Sequence, residues 1–218
     1  MPAKPARSYD ATARRARAEE ERRATRRRVV DAARHLFLAH GYAGTTMVAI
    51  AAEAGVALQS VYTAGKSKAD LLRLVVDTAV AGDDEDVLVA ERDPIRAIRE
   101  EPDPVEQVRL IAEQIAATQE RSAPVQVVLR QAAAVDDKIA AYLEAELERR
   151  HATFTAIIAM LPEEHLRHSP EESTDLAWAI GSSEVFLLLR QQRGWDADHY
   201  VDTLTRVLVD QLLLPDDT

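Results

Sequence analysis

The chain has 218 residues and no cysteine, which excludes disulfides, thiolate metal sites and cysteine nucleophiles. Apolar residues make up 47%, aromatics only 5%, and there are seven glycines, a balance that favours helices over many short strands with tight turns. The net charge of −10 hides a division: residues 1–73 hold 14 Lys and Arg against 7 Asp and Glu, a net of +7, whereas residues 74–218 hold 13 against 30, a net of −17. A basic N-terminal third suits a polyanion, and an acidic remainder is repelled by phosphate. The plainer alternative is a solvated helix surface of unequal charge.

Residues 1–24 read as a basic flexible arm, although Ala11–Arg28 has helical potential and Glu19 stands four residues before Arg23. The arm has no apolar run behind its arginines, so it does not read as a secretory signal, and no later apolar run is long enough to span a bilayer. A cytoplasmic protein without a membrane partner is expected.

From Thr25 the pattern changes. Val29, Val30, Ala33, Leu36 and Phe37 recur at helical spacing until Gly41. Thr46 suits the N-cap of a short helix, Met47–Ala54, which Gly55 stops. A third helix is predicted over Leu58–Ala64. Ser67 then caps a fourth, with Asp70 in the position of a capping-box acid, and that helix ends near Gly82. The acidic run Asp83–Asp86 reads as a solvated linker. Beyond it, Pro94, Pro102 and Pro104 punctuate a short helix and the start of a longer one. Pro124 opens a separate segment, Val125–Ala134. Further helices are predicted over Asp136–Leu161, Glu171–Arg193 and Asp198–Leu214. The fold class is therefore all-α: an N-terminal three-helix domain with a helix-turn-helix, residues 25–73, and a C-terminal helical bundle, residues 74–218.

Ala51, Gly55 and Val61 carry the functional reading. A helix-turn-helix needs a small residue where its helices approach, a residue tolerant of positive φ four positions later, and an apolar residue in the second helix that packs back on the first. These three residues meet those needs in order. With Ala32-Ala33, Leu36-Phe37, Gly41-Tyr42, Thr45-Thr46, Ile50-Ala51, Ala54-Gly55-Val56, Val61-Tyr62, Lys68 and Leu71-Leu72, the stretch Arg28–Leu72 resembles the tetracycline-repressor (TetR) family of regulators. It departs from that pattern at Ala57, where a serine is usual, and at Gly65, where an aromatic is usual. Trp178, Glu184, Gly194-Trp195 and Tyr200 are similar to one helical subgroup.

The resemblance implies a transcription regulator that binds a palindromic operator in double-stranded DNA as a homodimer, with a small-molecule effector that releases it. It places Leu58, Gln59 and Ser60 at base edges and Arg28, Thr46, Tyr62, Thr63, Lys66 and Lys68 on phosphates. Gln59 is the candidate for direct readout, because its amide pairs bidentately with adenine. It also implies an effector pocket, for which Gln114, Arg130, Gln131, His151, Phe154, Trp178 and Glu184 are candidates. Its last two long helices form the dimer interface, here Phe186, Leu189, Tyr200, Leu204, Val207 and Leu208. No enzyme, cofactor or metal is expected: Gly-rich phosphate loops, GxSxG and HExxH are absent, and Glu164, His165 and His168 fall in a proline-bounded loop. The rival readings are a helical ligand-binding module that does not touch DNA, and an activator.

Overall fold

Ten α-helices and a 3₁₀ turn, Glu163–His165, make up the computed structural model over its described residues, 8–82 and 93–215, with side chains from residue 13 onward. The acidic linker read at Asp83–Asp86 lies outside them. The chain divides into two units, 1–75 and 76–218.

The first unit holds α1 (Ser8–Gly44), α2 (Met47–Ala54), α3 (Leu58–Ala64) and the start of α4 (Lys68–Ala81). Helix α1 passes through residues 8–24, the stretch read from sequence as an arm. There Arg17 pairs with Glu21, Arg22 with Glu19, and both Arg23 and Arg27 with Glu20, at 3.1–3.4 Å. Each exposed pair contributes only about 0.3–0.5 kcal/mol, but together they favour helix over coil. The apolar stripe comes later: Val29, Val30, Ala33 and Phe37 are buried, as are Ile50, Ala51, Val61, Leu71 and Leu72. Gly41, at φ 68° and ψ 177°, breaks the helical path of α1 before its last turn. Ser67 caps α4 by accepting from the Asp70 N–H at 3.1 Å, and its hydroxyl donates to the Asp70 carboxylate at 2.8 Å.

The second unit holds the rest of α4, then α5 (Asp93–Glu100), α6 (Pro104–Ala133), α7 (Asp137–Ile158), α8 (Pro170–Ile180), α9 (Ser183–Phe186) with a π-helical continuation over Leu187–Gln192, and α10 (Ala197–Leu212). Helix α6 packs against α5, α7, α9 and α10, and α8 packs against α7 and α10. The buried Gln107 joins three elements, donating to the carbonyls of Ile98 at 2.8 Å and Met160 at 3.0 Å. The end of α10 is fastened to the loop before α8: Arg167 N–H donates to the Leu212 carbonyl at 2.8 Å, and Leu214 N–H to the His165 carbonyl at 2.9 Å.

Two expected boundaries are corrected. Pro124 opens no new segment: α6 runs through it for 30 residues. A proline removes one helical N–H and crowds the carbonyl four residues earlier, a local cost that packing on both sides of it outweighs, since Ala123, Val125, Val128 and Leu129 are all buried. The single helix expected over Glu171–Arg193 is interrupted. Helix α8 stops at Ile180, Gly181 turns the chain, and Ser182 starts α9 by accepting from the Val185 N–H at 3.3 Å.

Tyr200 sits in the core, 1% exposed, with its ring 5.2 Å from Phe186 and its hydroxyl without a partner. Desolvation pushes that phenol from 10.0 up to about 12. A raised folded-state value means stability is fully present below pH 10 and is lost as pH rises from there towards 12. Tyr200→Phe removes the orphaned hydroxyl while keeping the ring. Its unfolding free energy at pH 7 is expected within about 1 kcal/mol of wild type, or above it. In denaturant melts between pH 10 and 12 the variant should lose less stability than wild type; a parallel decline in both proteins would contradict this account.

Candidate nucleic-acid interface and a polar cluster

The two short helices α2 and α3 meet at 105°, the geometry of a helix-turn-helix. Thr46 begins α2, its hydroxyl oxygen accepting from the Ala49 N–H at 3.1 Å. Gly55 ends it in the left-handed region, φ 61° and ψ 40°, with its N–H directed to the carbonyls of Ala51 and Ala52. A side chain would meet nothing within 4 Å there, so the backbone conformation, not space, requires glycine. Val56 N–H closes the turn on the Ala51 carbonyl at 3.1 Å.

Helix α3 buries one residue, Val61, completely. Its other face is open. Leu58 is 38% and Tyr62 44% exposed, with Gln59 and Thr63 exposed beside them and Ser60 half-buried. Large apolar and aromatic groups left in water on a seven-residue helix are costly unless something covers them in use. Ala57 provides no side-chain cap, so the first turn of α3 presents N–H groups that no side chain satisfies. The Thr63 hydroxyl donates to the Gln59 carbonyl at 2.9 Å, which leaves its oxygen as an acceptor only. Lys66 is exposed. Arg28 is exposed too, and a guanidinium N–H reaches the Thr25 hydroxyl at 3.5 Å.

Lys68, expected at a phosphate, also has partners within the protein. Its ammonium donates to the carbonyls of Tyr42 at 2.8 Å and Thr45 at 3.0 Å and lies 4.3 Å from the Tyr42 ring centroid. A cation at the start of a helix is disfavoured by the helix dipole, and here carbonyls from the α1–α2 corner offset that cost. Gly65 is also explained: a Cβ there would lie 2.5 Å from Leu71 Cδ2. Neither role has a sequence signature, because both partners are distant in the chain or set by the turn.

The residues proposed for an effector do not all converge. Arg130 pairs with Glu184 at 2.5 Å and donates to the Ser183 hydroxyl at 2.9 Å. His151 pairs with Asp175 at 2.9 Å and meets the Trp178 ring edge-on at 5.9 Å. Phe154 is buried. Gln131 is exposed, and Gln114 turns along its own helix to the Thr118 hydroxyl at 3.4 Å. Sequence reasoning missed Arg150, whose guanidinium lies 5.1 Å from the ring centroids of both Phe154 and Trp178. Its position four residues before Phe154 was the available signal.

The proposed dimer stripe needs correction. Phe186 of α9 and Tyr200, Leu204 and Leu208 of α10 are 0–4% exposed within the protomer, because they close its own core. Leu189 is half-buried, and Val207 at 37%, Leu188 at 49% and Leu214 at 51% are exposed.

Two substitutions test the anchoring of α3. Gly65→Ala is expected to destabilise by about 1–3 kcal/mol, through overpacking on Leu71. Lys68→Met is expected to cost about 1–3 kcal/mol by stranding the two carbonyls. Unchanged denaturant midpoints in the absence of DNA would refute both assignments.

No curated protein is significantly similar in sequence to the chain. Residues 29–75 match the family model described as bacterial regulatory proteins, tetR family. Among solved structures, NalD, the secondary repressor of the MexAB-OprM multidrug efflux pump in Pseudomonas aeruginosa, is similar with a TM-score of 0.65 at 21% identity, covering 91% of this chain and 100% of that one. A structure described as a transcriptional regulator from Saccharomonospora viridis in complex with choline gives 0.66 at 17% identity, covering 87% and 98%. A TetR-family transcriptional regulator from Agrobacterium tumefaciens gives 0.64 at 17% identity, covering 88% and 100%. At these identities the likenesses are of fold. Residues 29–75 thus carry the match to the tetR family of bacterial regulatory proteins, and the fold that bears them is the all-helical one of the solved regulators.

Proposed function

We propose that the chain is a homodimeric, cytoplasmic repressor that holds a palindromic DNA operator through α3 and releases it when a small molecule enters the second unit. The observation that carries this reading is the open face of α3: Leu58, Gln59 and Tyr62 stand in solvent while Val61 alone anchors the helix. A helix presented this way enters a major groove with its N-terminal residues at base edges. Gln59 reads adenine, and Tyr62, Thr63, Lys66, Thr46 and Arg28 hold phosphates. Two copies in a dimer meet half-sites about one helical turn apart, roughly 34–36 Å. Leu188, Leu189, Val207 and Leu214 form the apolar surface available to the second protomer.

Effector control is supported by the construction of α4. Lys68 fastens its start to the α1–α2 corner. Near its end, Asp77 accepts from the Tyr142 hydroxyl at 2.7 Å, and the carbonyls of Ala79 and Val80 receive Arg121. An effector that binds the releasing state more tightly shifts α7 and, through Tyr142, moves α4. That NalD is a repressor, and that the Saccharomonospora viridis regulator holds choline, favour this mode over activation.

Selection of bound duplexes from a random pool should return inverted repeats. Binding should weaken steeply with salt, since each neutralised phosphate releases counterions. Gln59→Ala should lose about 1–3 kcal/mol of discrimination at one base position per half-site, and Lys66→Ala should lower the salt slope by about 1 per protomer without changing the preferred sequence. Selected duplexes without symmetry, or binding indifferent to salt, would overturn the proposal. Leu188→Glu with Val207→Glu is expected to give monomers in sedimentation; a dimer that survives both would move the interface elsewhere.

A further inference from the structure

The interruption of the expected long helix at Gly181–Ser182 has chemical content. A helix end leaves carbonyl oxygens without intrahelical partners. Here Gln119 Nε2 donates to the Gly181 carbonyl at 2.7 Å, and the Arg150 guanidinium donates to the Trp178 carbonyl. Arg130 adds its bond to the Ser183 hydroxyl. Three long side chains from α6 and α7 thus meet one break in α8–α9. Phe154 lies within the same group: a Cβ on Gly181 would come 3.0 Å from its ring.

The hydrogen bonds at this break do not balance. Arg130 has its carboxylate in Glu184. Glu146 is taken by Arg149 at 2.5 Å. Arg150 has no carboxylate partner among the described residues; it has one carbonyl and two aromatic faces. Desolvation holds its guanidinium down at about 10, although the Glu184 and Glu146 carboxylates, too far for an ion pair, pull it up. One more donor there lacks a partner: Trp178 Nε1–H is buried with no acceptor. Buried donors left unmet are rare, and each costs about 1–3 kcal/mol.

We infer that the break is the recognition point for a small-molecule carboxylate with an apolar body, taken up by Arg150 and the Trp178 indole N–H. This rests on the reading that the second unit binds an effector. The carboxylate supplies the acceptor that the Trp178 N–H lacks and the close ion pair that Arg150 lacks, and Phe154 and Ile115, which border Gly181, are the apolar neighbours of the remainder. A quaternary ammonium is the wrong ligand for this spot. Its natural seat, the faces of Trp178 and Phe154, is held by Arg150, and a second cation would be repelled.

The test uses the full chain with Trp195→Phe, which leaves Trp178 as the sole tryptophan. Its fluorescence is titrated at neutral pH with hexanoate, hexanamide and tetramethylammonium, and equilibrium dialysis of labelled hexanoate gives the stoichiometry. Saturable binding of hexanoate at least tenfold tighter than the other two is expected. Arg150→Met should lower hexanoate affinity tenfold or more, and Arg150→Lys should recover part of it. If Arg150→Met does not fold, the three probes on the unsubstituted site decide. Hexanoate binding no tighter than hexanamide, or no saturable binding, overturns the inference. Operator affinity is measured in parallel. Hexanoate captured with operator affinity unchanged supports the carboxylate site and refutes effector release. Operator release by other compounds, without preference for hexanoate, refutes the site and leaves effector release standing.

Discussion

Helix α3 spans seven residues and buries one of them fully, so its position is imposed by its surroundings. An isolated helix of that length does not persist in water. Three devices hold it. Gly55 adopts a left-handed conformation that sets the bend from α2. Gly65 lets Leu71 come against the end of the helix. Lys68 ties the start of α4 to the Tyr42 and Thr45 carbonyls. The outward residues need no fixed partners of their own, because the turn before the helix and the helix after it carry the constraint.

The second unit solves a different problem. A break in a helix inside a packed bundle exposes polar backbone to a low-dielectric interior, where unmet groups are expensive. Gln119, Arg130 and Arg150 answer it from neighbouring helices. The outer arginines of α1 follow the opposite rule: they are paired along their own helix in solvent, where each pair matters little.

What could be read from sequence follows from the range of each interaction. The helix-turn-helix was legible because Ala51, Gly55 and Val61 act over ten residues, and the Ser67–Asp70 cap because it acts over three. The carbonyls that hold Lys68 were not legible, since they are 23 and 26 residues away and no spacing rule reaches them. The α8–α9 break was hidden by the apolar run Val185–Leu189, although Gly181 followed by Ser182 is a stop and a start. Pro124 suggested a boundary by its local preference, and burial on either side overrode it. The α10 stripe was correctly seen as apolar, but periodicity alone does not say which of two apolar faces closes the protomer's own core.

The Gly65–Leu71 approach has a consequence for exchanging parts between relatives. Where family members commonly carry an aromatic ring, this chain has no side chain, and Leu71 Cδ2 would stand 2.5 Å from any Cβ added there. A chimera that imports a foreign α3 together with its aromatic would find the space already filled. The two positions form a single module, and a graft that redirects this scaffold to a new sequence of bases must carry both or leave both.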